Sequence, residues 1–474
     1  MALEFLPSGV QDAIQTNQLK RRFEDKLRAT NAYRKTAYRL PIEKRSGESI
    51  IYSRNGHISP VMDDIVPSTN VGIDNGLTIN GVGGNGDYSF EQFSVTIGLL
   101  PKFMDLNILQ NEEVIGDLYL LNAEELAEQA ALSLDLRVAR VAFRAYMGGQ
   151  SYFTAGGTGT TLRVDNVLGL DTAFGLLTIN GKVVVNGAPQ AVSNTYPLTV
   201  YITSATTGII TTATVTGVTY DDTTGFPDDP ANISSLGVYG RSGTLTFSAS
   251  QTVGQYDVIQ SADSPVMYRP NGKNSVVGLD LTDTIGAQLV INAVAELRAN
   301  GVKSPLKDGT FPCYIDPILH AQFFTDPQWQ IMSQGQMQSE DFADGVINRN
   351  FGVTFVPTTN APSNAITNHA GLPLVARRAI VTGDKYVQES PFSGIDALFS
   401  APGGARPVHT QLMDDFVFAT RAPIDREGQF VSMGWYWVGG HVAPTDATIT
   451  PDTIPSSTKA RYKRAVVIEA ASSR

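Results

Sequence analysis

Cysteine is almost absent from this sequence: Cys313, in the apolar run FPCYI, is the only one in 474 residues. A single cysteine excludes an internal disulfide and a cysteine-based metal site, so we expect Cys313 to be a buried free thiol. Histidine is also scarce, and none of the five histidines lies three or four residues from another, as a helical pair of metal ligands would. The sequence therefore predicts neither a metal nor another cofactor.

Long apolar runs and the short motifs of common enzymes are also missing. No stretch is apolar enough to span a bilayer, and the first residues lack a basic region followed by an apolar one. We therefore expect a protein that is made in a cytoplasm and has no membrane partner. The chain contains no G-x-S-x-G, G-x-x-x-x-G-K-[ST] or H-E-x-x-H motif. Its formal charge of −11 argues against sequence-independent DNA binding by the whole surface.

Glycine is plentiful, and the stretch GVGGNGDYSF, from Gly81 to Phe90, fits the G-x-G-x-x-G spacing of dinucleotide-binding turns. That spacing binds a pyrophosphate only where a helix follows the glycines. Here YSFEQFSVTIG follows, and its alternation predicts a strand. The glycines are therefore expected at the tip of a long connection between two strands. The span from Asn55 to Phe90 is too long for a tight turn and contains four aspartates but no Lys or Arg.

The N-terminal region is strongly basic. Residues 17–45 contain ten Lys or Arg against three acids, and Leu19, Phe23 and Leu27 recur at helical spacing. This pattern predicts an amphipathic helix ending before Pro41. Two interpretations stay open: a solvated helix face, or an arm that docks on a partner.

The clearest helix is NAEELAEQAALSLDLRVARVAFRAYM, with Asn122 as its predicted N-cap and Gly148 and Gly149 as its stop. At 1.5 Å per residue it would be about 35 Å long. From Ser151 to about Asp263 the chain then becomes rich in Thr, Gly and Val and almost without helix signals. This change predicts a separate β-sandwich or barrel, with a hairpin turn at residues 180–181.

The rest of the chain alternates helix and strand signals, so the fold class is α+β. FPCYI predicts a strand, and Asp316-Pro317 and Asp326-Pro327 are expected to begin two short helices. The aromatic run GWYW could stack a base or a sugar, although a core or interface strand explains it more simply. The paired aspartates are expected in turns or on the surface, since none has the alternating ligand spacing of a calcium loop.

The order of these parts resembles that of the major capsid proteins of tailed bacteriophages, which have the Hong Kong 97-type fold. The stretches CYIDPILHAQFFTDPQWQ and FGVTFVPTTNAP resemble the A domain of a podovirus-type coat branch, with a signature formed by Asp316, Pro317, Asp326, Pro327 and Trp329. The insert at 151–263 departs from the minimal family pattern. Its role is open, since it could brace one subunit or stand on the outer surface.

The resemblance implies a division of the chain. The parts are an N-terminal arm (1–47), an E-loop hairpin (48–92), a P domain with a long spine helix (93–150), the inserted all-β domain (151–263), an A domain (264–405) and return strands of the A and P domains (406–474). Contacts between subunits are expected at the E-loop residues Asp63, Asp64, Asp74, Gly83, Gly84 and Asp87, and at the arm residues Arg21, Arg22, Lys26 and Arg28.

The implied function is structural and not enzymatic: hexamers and pentamers of this chain would form an icosahedral shell around phage DNA. A scaffolding protein and a portal are expected partners, a decoration protein is a further one, and DNA would be contacted non-specifically at most. The protein would assemble in the host cytoplasm and reside in the virion. Two alternatives remain: a virion decoration or adhesion protein that uses the Thr-rich domain, and a cytoplasmic enzyme with a β accessory domain.

The same resemblance implies how the shell is held together. Some members of the family join subunits through an E-loop lysine, and no lysine lies between Asn55 and Phe90. A non-covalent shell is therefore expected. Its acidic loop would lie on cations of an adjacent subunit, with the arm or Lys463 and Arg464 as candidates.

Overall fold

The structure is a computed structural model that describes residues 32–42, 49–55, 90–107, 118–179, 182–221, 236–237, 239–333, 349–393, 408–413, 416–421, 430–445 and 462–472. These residues form an α+β fold in which strands predominate. The chain divides into two compact units. The first comprises Met1–Ile50, Ser94–Val141 and Val387–Val442, and the second comprises Ile51–Phe93, Ala142–Tyr386 and Ala443–Arg474.

The helices of the described residues are α1 (Leu118–Tyr146), α2 (Ala287–Ala299), α3 (Pro317–Gln322) and α4 (Pro327–Ser333), with 3-10 turns at Tyr33–Thr36, Pro270–Gly272, Val276–Gly278 and Phe323–Thr325. The strands are β1 (Tyr38–Arg39), β2 (Ser49–Asn55), β3 (Phe90–Thr96), β4 (Gly98–Asn107), β5 (Gln150–Tyr152), β6 (Gly157–Val164), β7 (Thr172–Ile179), β8 (Lys182–Ala191), β9 (Leu198–Thr203), β10 (Ile210–Tyr220), β11 (Gly243–Val253), β12 (Val258–Ser261), β13 (Met267–Tyr268), β14 (Phe311–Ile315), β15 (Arg349–Asn350), β16 (Val353–Pro357), β17 (Ser363–Thr367), β18 (Pro373–Thr382), β19 (Gln388–Pro391), β20 (Val408–Met413), β21 (Phe416–Arg421), β22 (Phe430–Val442) and β23 (Ala465–Ser472).

The long helix α1 begins earlier than its sequence predicts. It starts at Leu118, so Asn122 lies inside the helix and the predicted N-cap was wrong. The physical reason is that residues 118–121 are Leu, Tyr, Leu and Leu, none of which interrupts a helix. With 29 residues, α1 is about 43 Å long at 1.5 Å per residue. Its end agrees with the prediction, because a turn at residues 147–149 follows Tyr146.

In the first unit, α1 covers one face of a six-stranded sheet. The strand order is β1-β19-β22-β21-β20, and β4 pairs with β22. Leu126 and Leu134 of α1 share one core with Trp435 and Trp437 of β22. The Trp435 indole also donates a 2.8 Å hydrogen bond to Gln129. The aromatic run GWYW is therefore a core strand, as the simpler interpretation held.

In the second unit, a seven-stranded mixed sheet has the order β13-β23-β18-β14-β16-β15, with β17 on β18. The predicted strand FPCYI is β14, and all five of its residues are buried. Cys313 is a buried free thiol, as predicted, and burial raises its pKa to about 12. Val290 and Leu297 of α2 and Leu319 of α3 pack in the same core.

A second sheet in this unit closes into a barrel. Its order is β5-β12-β9-β10-β11-β6. The last strand returns to the first through a bridge between Phe153 and Val164 and a 3.1 Å hydrogen bond from the Asp165 amide to the Tyr152 carbonyl. The barrel core is drawn from residues between Phe153 and Ile259. Of the two architectures that the sequence left open for this region, the backbone forms the barrel.

The chain enters the barrel through a close backbone crossing. The Gly149 amide donates a 2.7 Å hydrogen bond to the Leu168 carbonyl. A Cβ at Gly169 would collide with the backbone nitrogen of Gly149, and Gly169 has a φ of +76°. Only glycine fits both conditions, so this crossing is fixed by sequence.

Two pairs of strands form two-stranded sheets of their own, separate from the larger sheets. β2 pairs with β3, so two strands flank the long connection as expected, whereas β4 belongs to the sheet of β22. β7 pairs with β8, and the pairing of Ile179 with Lys182 brackets the predicted turn. Residues 180–181 themselves lie outside the described residues.

Candidate functional site

Asp316 connects the start of α3 to the neighbouring strand. Its carboxylate accepts a 2.8 Å hydrogen bond from the Ile318 amide, and Pro317 occupies the first helical position, as predicted. Its other oxygen accepts a 2.8 Å bond from Arg377 of β18. The carboxylate thus satisfies an amide that the helix leaves without a partner and anchors the helix to the sheet.

Asp326 caps a second helix in addition to the one that its sequence position predicts. Its carboxylate accepts a 3.0 Å hydrogen bond from the Gln328 amide at the start of α4. It also accepts a 2.6 Å bond from the Ala287 amide at the start of α2. The N-cap residue of α2 is Gly286, which has no side chain to accept that bond. One carboxylate therefore caps two helices that are distant in sequence.

Trp329, the aromatic residue of the predicted signature, is a packing residue. It is buried in the core of the mixed sheet, and its ring meets Phe324 edge to face at 4.9 Å between centroids. Its indole nitrogen has no hydrogen-bond partner among the described residues. The side chain presents no polar group to solvent, so its contribution is to the shape of this core.

A fully buried carboxylate holds two guanidinium groups in the mixed sheet. Glu469 of β23 accepts 2.7 Å hydrogen bonds from Arg378 of β18 and from Arg269, which follows β13. Arg378 also donates to the amide oxygen of Asn364. Burial alone would raise the pKa of Glu469, but the two arginines hold it below its usual value. The group is therefore ionised at neutral pH and links three strands.

A small cavity lies beside this cluster. It is lined by side chains that include Gln150, Asn166, Arg269 and Glu469, and its volume is about 20 Å³. That is the space of about one water molecule, so this cavity does not accommodate a substrate.

A second buried cluster fixes the segment at the N-terminal end of the described chain. Glu389 accepts hydrogen bonds from Arg34 at 2.7 and 3.0 Å, and Arg39 lies 3.8 Å from it. Asp135 of α1 accepts the backbone amides of Ala32 and Arg34 at 2.9 and 3.0 Å. β1 adds a parallel pairing to β19. Residues 32–42 are thus tied to the sheet by both charge and backbone.

His441 lies inside this second cluster. Its ring stacks on Trp437, with 4.9 Å between centroids, and its Nε2 is 3.9 Å from Glu389. Neither ring nitrogen has a hydrogen-bond partner among the described residues. Burial lowers the pKa of His441 to about 4; Glu389 opposes this shift, and Arg137, Arg34 and Arg39 add to it. The histidine is therefore neutral at physiological pH.

The described residues contain neither a candidate metal site nor a candidate membrane-spanning helix. Across them, no three His, Cys, Asp or Glu side chains are grouped to hold a metal ion. Within the same part of the chain, no helix is both long and apolar enough to cross a membrane. The carboxylates of Glu469 and Glu389 each accept hydrogen bonds from arginine, and these ion pairs connect strands and segments that are distant in sequence.

Several predicted contact residues lie outside the described residues. These are Arg21, Arg22, Lys26 and Arg28 of the arm and Asp63, Asp64, Asp74, Gly83, Gly84 and Asp87 of the loop. Their roles stay predictions. Residues 33–42 at the end of the basic region are described, and they form a 3-10 turn and a short strand, so the prediction that the helix continues to Pro41 was wrong.

Sequence reasoning missed both buried clusters. Arg34 was counted among the cations of the arm, and the sequence gives no local sign that it faces Glu389, 355 residues away. One signal was available for the other cluster. Glu469 is the only charge in the apolar strand AVVIEAAS, which is typical of a buried acid that requires a cationic partner.

Comparison with known proteins adds the following. No family model matches the chain, and no curated protein is similar to it. It is similar to the capsid of Ralstonia phage GP4, with a TM-score of 0.48, 11% identity and coverage of 94% of this chain and 92% of that chain. It is also similar to the capsid of Cyanophage P-SCSP1u, with a TM-score of 0.46, 11% identity and coverage of 94% and 89%. A third similar structure is the acidic stable capsid of Helicobacter pylori bacteriophage KHP30, with a TM-score of 0.44, 7% identity and coverage of 92% and 88%. All three are phage capsids.

Proposed function

We propose that this chain is the major capsid protein of a tailed bacteriophage. Many copies would assemble into an icosahedral shell around the phage DNA. The observation that carries the proposal is the order of parts along the chain. A basic N-terminal region is followed by the pair β2–β3 around a long acidic connection, then a 29-residue helix on a sheet, then a mixed sheet with Asp-capped helices. This order matches the coat-protein pattern on which the sequence resemblance rests.

The proposal assigns the parts of the Hong Kong 97-type fold to this chain. Residues 1–47 are the arm, 48–92 the E-loop, 93–150 the P domain with α1 as its spine, and 264–405 the A domain. The barrel strands run from Gln150 to Ser261 and so coincide with the proposed inserted domain, 151–263, to within one residue at its start, and 406–474 supply return strands. Two features support the last assignment: β22 pairs in the sheet beside α1, and β23 pairs in the mixed sheet.

The proposed partners follow from this function. The chain would associate with itself in hexamers and pentamers, transiently with a scaffolding protein, and with a portal at one vertex. Packaged DNA would be contacted non-specifically at most, and a decoration protein could bind the outer surface. Assembly would take place in the host cytoplasm before the protein becomes part of the virion.

The test is assembly of the expressed chain. Purified protein is checked for folding by circular dichroism, and is then followed by negative-stain microscopy and sedimentation over a range of concentration and ionic strength, with and without its scaffold. Capsomers, shells or tubes are expected. A folded chain that remains a monodisperse monomer throughout would contradict the proposal, and turnover of a small substrate by that monomer would favour the enzyme alternative.

A further inference from the structure

One guanidinium group in the first unit, that of Arg137 on α1, lacks an acceptor. Its Nη2 is 3.6 Å from the position that a Cβ on Gly98 would occupy. Gly98 is the first residue of β4 and pairs with Gly439 of β22, so the guanidinium lies beside the point where these two strands meet. Across the residues that the structure describes, Arg137 makes no hydrogen bond and no ion pair. Burial and the nearby charge of Arg140 lower the pKa of this partly exposed arginine.

Two buried side chains of β22 also have nitrogens without partners. In the part of the chain that the structure describes, neither ring nitrogen of His441 nor the indole nitrogen of Trp437 has a hydrogen-bond partner. The two rings stack at 4.9 Å between centroids. Burial is the main cause of the low pKa of His441; Glu389 opposes it, and the charge of Arg137 adds to it. Such an effect of charge requires the guanidinium to lie near the ring. Three neighbouring side chains therefore offer N–H groups that no acceptor uses.

The charges that act on His441 do not balance. The cations are Arg34 of the first 3-10 turn, Arg39 of β1 and Arg137 of α1. The carboxylate is that of Glu389 on β19, 3.9 Å from the His441 Nε2. Arg34 donates to both oxygens of Glu389, so the negative charge is already paired. Positive charge that is partly removed from water without a counter-charge is unfavourable, and a bound anion relieves that cost.

We propose that Arg137, His441 and Trp437 form a site for one phosphate-type oxyanion. The guanidinium donates two parallel N–H bonds to two of its oxygens, the geometry in which arginine binds phosphate, and the imidazole and indole supply further N–H donors. A phosphate charge of about −2 offsets three guanidinium groups less one carboxylate, whereas a carboxylate ligand would leave part of that excess. The phosphate comes either from the free ion or from the backbone of packaged DNA. The site lies within one subunit and does not depend on assembly, so the inference goes beyond the proposed function.

Equilibrium dialysis of the full-length chain against radiolabelled inorganic phosphate, at constant ionic strength, tests the site directly. One saturable site per chain is expected. Arg137→Gln should weaken binding at least about tenfold, because it removes the charge-assisted bonds, and Arg137→Lys should be intermediate, because it keeps the charge without the fork. Arg163→Gln, the matched control at an exposed arginine paired with Asp221, should bind like the wild type. No saturable binding by the wild type, or equal affinity in Arg137→Gln, would overturn the proposal.

The titration of His441 gives a second readout, measured by NMR of the chain labelled with ¹³C-histidine, with His441→Phe to identify the signal. Phosphate should raise the pKa of His441, because an anion favours the protonated ring. Without phosphate, Arg137→Gln should raise it as well, since one repelling cation is removed, and added phosphate should then have no effect. The urea midpoint of Arg137→Gln in phosphate-free buffer should equal or exceed that of the wild type, which shows that the variant is folded. A wild-type His441 signal that phosphate leaves unshifted would place the ion elsewhere and overturn the assignment.

Competition identifies the source of the phosphate group. Displacement of the bound ion by a short DNA duplex would assign the site to the DNA backbone, and retention of the ion would assign it to free phosphate; both results support an oxyanion site. Acetate should compete only at a concentration at least about tenfold higher, because it carries a single charge, and equal competition would overturn the phosphate-type assignment. Protein that binds phosphate but never assembles would defeat the proposed function alone, and shells whose subunits bind none would defeat this inference alone.

Discussion

At the scale of single residues, the most constrained side chains are buried charges. Glu469 and Glu389 are both fully buried, and each has arginine as its hydrogen-bond donor. A buried carboxylate without such partners would be neutral, because the low-dielectric interior disfavours its charge. Here the arginines hold the pKa of both acids below its usual value in spite of burial. Each cluster is therefore stable only while all of its members are present.

Removing the central charge of the Glu469 cluster should strongly destabilise the folded protein. Glu469→Gln leaves Arg269 and Arg378 without their shared counter-charge in the sheet interior. We expect a loss of about 3–5 kcal/mol, the usual cost of an uncompensated buried charge. The measurement is the urea midpoint followed by tryptophan fluorescence and circular dichroism.

The matched control is an ion pair on the surface. Asp221 accepts a 2.8 Å bond from Arg163, and the arginine side chain is 59% exposed. Asp221→Asn should change stability by less than about 1 kcal/mol, because water screens exposed pairs. Equal losses in the two variants would contradict the role given to burial.

His441 should make the first unit sensitive to acid. Its pKa is about 4 in the folded protein and about 6.5 in an unfolded chain, so the unfolded state binds a proton more readily. The stabilisation is complete above pH 6.5 and is lost as pH falls from 6.5 through 4. Over that interval we expect a loss on the order of 3 kcal/mol. Thermal unfolding measured between pH 7 and pH 4 provides the check.

Two histidine variants separate this effect from general acid denaturation. His441→Phe keeps a ring against Trp437 and removes the titrating group, so its melting temperature should fall less steeply between pH 6.5 and 5. His369 is exposed, and His369→Gln should leave the wild-type slope unchanged. A slope unaltered in His441→Phe would show that other groups cause the acid sensitivity.

At the scale of elements, Asp326 caps more helices than Asp316 does. Asp326 caps both α2 and α4, whereas Asp316 caps α3 alone. Loss of a helix cap costs about 1 kcal/mol, so Asp326→Ala should cost about 2 kcal/mol. Asp326→Asn keeps one acceptor oxygen and should lie between the wild type and the alanine variant. Urea unfolding of the three proteins measures the series, and an Asn variant as unstable as the Ala variant would contradict the capping account.

Elements that depend on local signals were predictable from sequence. Asp316 and Asp326 each precede a proline, and both begin helices where that pattern predicts. The start of α1 was misplaced because Asn122 is a good cap, but nothing in residues 118–121 before it interrupts a helix. The pairing of β4 with β22 could not be predicted, since it joins residues more than 300 positions apart that share no local signal.

The difference between local signals and long-range contacts also applies to the candidate site, where some contacts were predictable and others were not. The cap of Asp316 is local and was predicted, while its bond to Arg377 spans 61 residues and was not. The clusters at Glu469 and Glu389 depend on strand order and register, which place Arg378 directly opposite Glu469. Register follows from the packing of whole sheets and cannot be read from local sequence. The only sequence signal for the Glu469 cluster was therefore a charge in an apolar strand.

At the scale of the whole molecule, the barrel has a core of its own. One hydrophobic cluster, drawn from residues between Phe153 and Ile259, fills it, and its sheet closes on itself. A closed sheet leaves few strand edges for unwanted pairing. The composition change near Ser151 marks where this set of strands begins; that the set folds as a separate domain stays a prediction, and composition did not distinguish a barrel from a sandwich.

The proposed shell should be held together without covalent bonds. Links between subunits require a reactive side chain on an exposed surface. Residues 56–89 contain no lysine for an isopeptide bond, and the only cysteine, Cys313, is buried. Boiled particles should therefore run as one band near 50.9 kDa, with or without reductant. Charged contacts should weaken with salt, because the screening length falls from about 8 Å at physiological ionic strength to about 3 Å at 1 M. A ladder of covalent multiples from wild-type particles would contradict the prediction.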